Sequence, residues 1–209
     1  MTTAPILTLL LTALLPFPGR VSDPDPGPDP VIGEPAPAFT LTDTHGKLRS
    51  LEDYRGRWVV LEWLNYGCPY VRKHYRSGNI PAQQAKWTED GVVWLAIASA
   101  SPGKPGYLGP EELNARSAAL GSQATAVLLD PDGRVGRAYH ARTTPHMFVI
   151  DPDGILVYMG GIDDVPTARE EDLARATQLV DRALTEAASG RPVSVSTSRP
   201  YGCSVKYAE

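Results

Sequence analysis

Two cysteines, Cys68 and Cys203, are the residues of this chain whose type and placement point most directly to chemistry. Cys68 stands in Asn65-Tyr66-Gly67-Cys68-Pro69-Tyr70, after a bulky apolar run and before a proline of the kind that opens a helix. A sulfur there sits at a helix N-terminus, where unpaired backbone N–H groups and the positive end of the macrodipole favour a thiolate. Arg72, Lys73 and His74 add nearby positive charge, and Arg72 and Lys73 are the expected thiolate-stabilising side chains. The thiolate is the reactive form, so this placement marks Cys68 as a redox-active thiol against the alternative of a small buried hydrophobe.

Cys203 lies far downstream in Tyr201-Gly202-Cys203-Ser204, in a tail with little periodicity that reads as flexible enough to approach another thiol. Two cysteines permit one intramolecular disulfide. A permanent bond would close a long loop and stabilise the fold by roughly 5 kcal/mol in the chain-entropy model. A strained or exposed bond would instead cycle with partner thiols. Glu62, in the strand preceding Cys68, is either a proton acceptor near the thiol or an alternating side chain that faces solvent. The four histidines and two cysteines lack the close paired spacing of a zinc site, so no metal and no other cofactor is expected.

The elements that must hold these residues follow from pattern. Residues 39–41 and 47–49, joined by Asp43-Thr44-His45-Gly46, read as a hairpin, with a helical turn over 51–54. Residues 58–64 (WVVLEWL) and 92–99 (VVWLAIAS) are short, β-branched and bounded by glycines, which predicts buried strands. Between them a helix is expected from Pro69 through Tyr75, broken near Gly78-Asn79 and resuming over 82–87. Residues 101–109 form a loop by composition, and Pro110 opens a helix over 111–120. Residues 126–129 and 147–150 are strands closed by two DPDG turns, and 155–159 is the hairpin partner of the second. Thr144-Pro145 precedes it, where a proline removes a ladder donor. From 167 to 188, Leu173, Ala176, Leu179, Val180 and Leu184 recur at helical spacing and predict one amphipathic helix ended by Gly190. These elements make an α/β sandwich with a mixed sheet.

Composition bounds the rest. A chain of 209 residues, 42% apolar and 21% charged, can bury a real core, and its net charge of −4 excludes the basic surplus that phosphate neutralisation needs. No nucleic-acid partner is expected. Seven of the 20 prolines fall in the first 30 residues. There, residues 6–15 (ILTLLLTALL) form an apolar run half as long as a membrane span requires, which suits a signal peptide. Residues 22–30 (SDPDPGPDP) form an extended spacer. The expected division is a leader and spacer at 1–30 and one domain at 31–209, exported to the periplasm or secreted, with no integral membrane span.

Residues 61–81 (LEWLNYGCPYVRKHYRSGNIP), 90–97 (DGVVWLAI), 143–154 (TTPHMFVIDPDG), 158–164 (YMGGIDD) and 199–207 (RPYGCSVKY) together resemble the bacterial redoxin-domain proteins. These form the alkyl hydroperoxide reductase and thiol-specific antioxidant group of the thioredoxin-fold superfamily. The resemblance implies a thioredoxin-like sandwich, its central mixed sheet flanked by helices, with an N-terminal hairpin and an extended C-terminal tail. It also implies Cys68 as nucleophile, Pro145 as a cis-proline facing it, and a substrate groove shaped by Asn65, Pro69, Thr144 and Pro145. Cys203 is then the candidate resolving thiol.

The departures from the pattern are specific. Thioredoxins carry Cys-x-x-Cys, but here the segment is Cys68-Pro69-Tyr70-Val71, leaving Cys203 as the internal partner. Peroxiredoxins carry Pro-x-x-x-Thr-x-x-Cys, whereas Leu61 and Asn65 hold those positions here and Pro145 stands where an arginine would flank a peroxide. Two readings follow. The chain is a thiol oxidoreductase or antioxidant acting on a thiol/disulfide protein or a peroxide and recharged by an external thiol reductant, or it is a binding or structural module with an inert Cys68–Cys203 disulfide.

Overall fold

In the computed structural model, which describes residues 29–208, the apolar runs become the inner strands of a seven-stranded mixed sheet. In chain order the elements are β1 (Thr40–Asp43), β2 (Leu48–Ser50), a 3₁₀ turn (Leu51–Tyr54), β3 (Val59–Trp63), α1 (Pro69–Arg76), α2 (Asn79–Glu89), β4 (Val93–Ala98), α3 (Pro110–Ala119), β5 (Ala126–Leu129) and α4 (Arg134–Ala138). They continue with β6 (Thr143–Thr144), β7 (His146–Ile150), β8 (Leu156–Gly160), a second 3₁₀ turn (Glu170–Arg175), α5 (Leu179–Ala188) and β9 (Cys203–Ser204). The sheet order is β2-β1-β5-β4-β3-β7-β8, and β6 pairs with β9 in a separate two-stranded ladder. Residues 1–28, which carry the apolar run and most of the spacer, lie outside the described residues. Among the described residues no helix is long and apolar enough to cross a membrane.

The three central strands β3, β4 and β5 are parallel, and β7 closes antiparallel on β3. Parallel neighbours need crossovers, and the helices after β3 and β4 provide them. Every residue of β3 and of β7 is buried, as expected of strands covered on both faces. The turns form through carboxylates: Asp43 accepts N–H bonds from His45 and Lys47, each at 2.9 Å, and Asp151 accepts them from Asp153 and Ile155. The first DPDG works differently. Asp130 accepts the N–H groups of Val135 and Gly136 and so caps α4, a short helix that pattern reading left as turn.

Two further boundaries differ from expectation. Gly78, at φ +75, separates α1 from α2, but α2 starts at Asn79 because Pro81 falls in its first turn, where a missing N–H costs nothing. The C-terminal helix is shorter than 167–188. The Leu179 N–H donates to the Ile162 carbonyl instead of continuing a helix, so Leu173 belongs to the preceding 3₁₀ segment, Ala176 is the extended residue that ends it, and only Leu179–Ala188 is α-helical.

One face of the sheet packs Val60, Trp94, Met147 and Tyr158 against residues of α1, α2 and α5. The other packs Leu61, Trp63 and Phe148 against Tyr54, Val135 and Tyr139. Glu62 points into the first of these, fully buried and not toward solvent. It accepts hydrogen bonds from Tyr75 (3.0 Å), Gln84 (3.2 Å) and the Trp94 indole (2.8 Å). Burial outweighs those bonds and raises its pKa from 4.5 to about 7.

The folded state therefore keeps this proton between pH 4.5 and about 7 while the unfolded chain has lost it. With the native state binding more protons, stability falls as pH rises through that window, by about 3 kcal/mol, and is level outside it. Glu62→Gln mimics the protonated form and removes this component. Urea denaturation from pH 5 to pH 8 should show a flatter profile for the variant, which becomes the more stable protein at pH 8.

Candidate active site

Cys68 is the N-cap of α1, with Pro69 at the first helical position. The turn that delivers it from β3 is built on Asn65, whose carbonyl accepts the Cys68 N–H at 2.9 Å and whose side-chain oxygen accepts the Gly67 N–H at 2.8 Å. The Asn65 side chain also packs on the loop at Gly106, where a Cβ would lie 2.1 Å from its amide nitrogen. Asn65 thus shapes the turn that carries the thiol. Across from Cys68 the Thr144–Pro145 peptide is cis, and the Cys68 thiol donates to the Thr144 carbonyl at 3.0 Å.

The tail is not free. It runs back over this point and pairs antiparallel with β6, Thr144 opposite Cys203 and Thr143 opposite Ser204. Gly202, at φ +139, lets it come this close: a Cβ there would sit 2.0 Å from the Thr144 carbonyl oxygen. Both cysteines are free thiols in this structure, Cys68 buried and Cys203 partly exposed. Burial opposes ionisation of Cys68, but hydrogen bonds from the Cys203 thiol, the Val71 and Cys203 N–H groups and the Thr144 hydroxyl outweigh it, so its pKa is lowered. Cys203 moves the other way, to about 11, through burial and its contact with Cys68.

Arg72 and Lys73, expected beside the thiolate, are not among the main influences on the lowered Cys68 pKa. Arg72 is exposed. Lys73 is buried and turned away, paired with Asp163 at 3.3 Å and donating to the Val165 carbonyl and the Tyr201 hydroxyl. His74 is buried beside Lys73, and desolvation together with that charge lowers its pKa to about 3, so it is neutral. Lys73 and His74, in the last turn of α1, belong instead to an internal cluster. The Tyr201 hydroxyl donates to Asp163 and meets the His74 imidazole at 3.1 Å, and Asn79 holds the other ring nitrogen at 2.8 Å.

This cluster is the part of the site that sequence reasoning missed. Tyr201 is two residues before Cys203, so Lys73, His74 and Asp163 fix the tail on the near side of the thiol. On the far side Tyr207 donates to the Ala141 carbonyl at 2.8 Å, packs its ring against Gly133 and Gly136, and lies under the Arg137 guanidinium. Cys203 sits between two tyrosine anchors.

A cysteine at the N-terminus of the helix after the central strand, faced by a cis-proline at the head of the adjacent antiparallel strand, fits a thioredoxin-like fold. The thioredoxin domain of a thiol-disulfide oxidoreductase from Bacteroides vulgatus shares the fold, with a TM-score of 0.50 at 19% identity over 69% of this chain and 96% of that one. The AhpC/TSA family model matches residues 32–159, and the chain belongs to that family. It is 30% identical over 188 residues to the thiol:disulfide interchange protein DsbE of Pseudomonas fluorescens biotype C, covering 86% of this chain and 94% of that protein. An uncharacterized conserved protein from Geobacillus kaustophilus superposes with a TM-score of 0.71 at 27% identity, over 85% of this chain and 93% of that one.

The opposed shifts of the two thiols give a direct expectation. Thiolate absorbance in the ultraviolet should rise in two steps, one below the ordinary thiol range that Cys68→Ser removes and one near pH 11 that Cys203→Ser removes. Cys203→Ala deletes a donor to the Cys68 sulfur and should move the first step upward.

Proposed function

We propose that the protein is a thiol–disulfide oxidoreductase whose working couple is Cys68 and Cys203. The observation that carries this reading is the pairing of Thr144 with Cys203, which lays the second thiol on the first across from the cis-proline. In the reduced couple Cys68 supplies the stabilised thiolate and Cys203 the proton-bearing thiol. Joining the two sulfurs releases two electrons to a partner disulfide, which leaves as a dithiol, and an external thiol reductant reverses the step. Similarity to a protein named for thiol:disulfide interchange supports a protein disulfide or dithiol as substrate. Thr144 and Pro145 border the reacting sulfurs, and Pro69 sets the helix that presents Cys68.

A peroxide is the weaker substrate. Leu61, Asn65 and Pro145 stand in place of the proline, threonine and arginine with which peroxiredoxins align and polarise an O–O bond. Export to the periplasm or outside the cell fits the apolar run at 6–15 and its spacer; fractionation that finds the chain in the cytoplasm would refute it.

Equilibration with glutathione redox buffers tests the couple. A reduction potential above about −300 mV, with loss of insulin-disulfide turnover in both Cys68→Ser and Cys203→Ser, is the expected result. A lower potential with no turnover would instead identify an inert structural bond, and sulfenic acid trapped on Cys68 by one equivalent of peroxide would favour peroxidase chemistry.

A further inference from the structure

We infer that the sulfur joined to the partner in the mixed disulfide is Cys203, while Cys68 is the sulfur that leaves and returns. The inference rests on the Cys68–Cys203 couple proposed above and assigns the order in which its sulfurs are used. Cys68 is 2% exposed. Its roof is β9, and Gly202 brings that strand so close to the Thr144 carbonyl that no side chain fits between them. The roof belongs to the fold, since Tyr201 is held by Lys73, His74 and Asp163, the Val205 N–H donates to the Arg142 carbonyl, and Tyr207 is docked beyond it. Cys203 lies on the outer strand and is partly exposed. A cleft of about 600 Å³, lined by Tyr70, Thr143, Arg199 and the preceding residue Gly202 among others, opens next to this part of the tail.

The line of attack leads to the same sulfur. A thiolate displaces a disulfide by approaching one sulfur opposite the other, so access decides which sulfur is taken. To attack Cys68 the partner would have to reach a sulfur in a residue that is 2% exposed and belongs to the packed core with Val71, Tyr66 and Leu64. To attack Cys203 it arrives from outside the roof. The partner thiolate bonds to the Cys203 sulfur, the Cys68–Cys203 bond breaks, and its electron pair goes to the Cys68 sulfur. The second thiolate of the partner then attacks its own sulfur in the mixed disulfide, forming the partner disulfide and releasing Cys203, which takes up a proton. The protein gains the two electrons that the partner dithiol loses. Run backwards, the same steps reduce a partner disulfide through the same mixed disulfide. This reverses the roles that sequence position alone assigns to the two cysteines.

The wild-type protein, oxidised and mapped for its Cys68–Cys203 bond, is treated briefly with glutathione, quenched with acid, alkylated and digested. The expected result is glutathione on Cys203 and alkylated, glutathione-free Cys68. Glutathione on Cys68, or spread equally over both, overturns the inference while leaving the couple intact. Failure to find any Cys68–Cys203 disulfide after oxidation overturns the couple and the inference together. Gly202→Ala provides the second arm, because its Cβ cannot coexist with the docked tail. With the fold verified by circular dichroism, alkylation of reduced Cys68 should rise by roughly tenfold or more over wild type, following exposure of the thiolate. An unchanged rate would mean that β9 does not cover Cys68, and the order of attack would fall with it.

Discussion

The interaction on which the site depends is the two-residue ladder between Thr144 and Cys203. Without it the chain has a cysteine at a helix N-terminus and a second cysteine on a tail, with no reason for either to know of the other. With it, the Cys203 thiol and N–H both bear on the Cys68 sulfur, and the Thr144 carbonyl accepts from it. So short a ladder cannot hold itself, since two strands alone are marginal in water. Its stability is borrowed from the anchors on either side, at Tyr201 and Tyr207.

The first anchor explains why the chain keeps an ion pair in its core. Lys73 and Asp163 are wholly shielded, and burying them costs desolvation that attraction alone need not repay. What the pair does is orient a hydroxyl. The Tyr201 oxygen is bonded to Lys73, His74 and Asp163 at once, and Lys73 and His74 are consecutive residues of the helix that Cys68 caps. The helix that presents one sulfur therefore grips the segment that presents the other. An apolar contact of equal area would bury the tail as well but would leave its register free to slip, and a one-residue slip in a strand turns Cys203 to the opposite face.

Much of the scaffold could be read from residue order alone. The runs 58–64 and 92–99 carry enough β-branched and aromatic bulk to be strands, glycine and DPDG punctuation placed the turns, and Pro69 placed Cys68 at the head of α1. What escaped has a common cause. The tail strand β9 and its partner β6 are two residues long each and show no period, and α4 is five residues long, too short to show a helical period. The reading of 167–188 as one helix counted Leu173 and Ala176 into a period that the backbone bond from Leu179 to Ile162 breaks. Lys73 looked like a partner for Cys68 because it is close in sequence. Its partners lie 90 and 128 residues away, a separation at which charge patterning has no voice.

In the proposed couple, placing the second sulfur on a docked tail, in place of the local Cys-x-x-Cys, changes what would set the redox poise. In a local motif the helix backbone fixes the distance between thiols. Here that distance is a tertiary contact, so the effective concentration of Cys203 at Cys68 rises and falls with the free energy of docking residues 199–208. About 1.4 kcal/mol of docking changes that concentration tenfold, equivalent to roughly 30 mV in a two-electron couple. In that proposed couple Tyr201, Gly202 and Tyr207 would bear on electron transfer although none of them carries a thiol. A change in any one would alter how oxidising the pair is before it altered the fold of the sheet beneath.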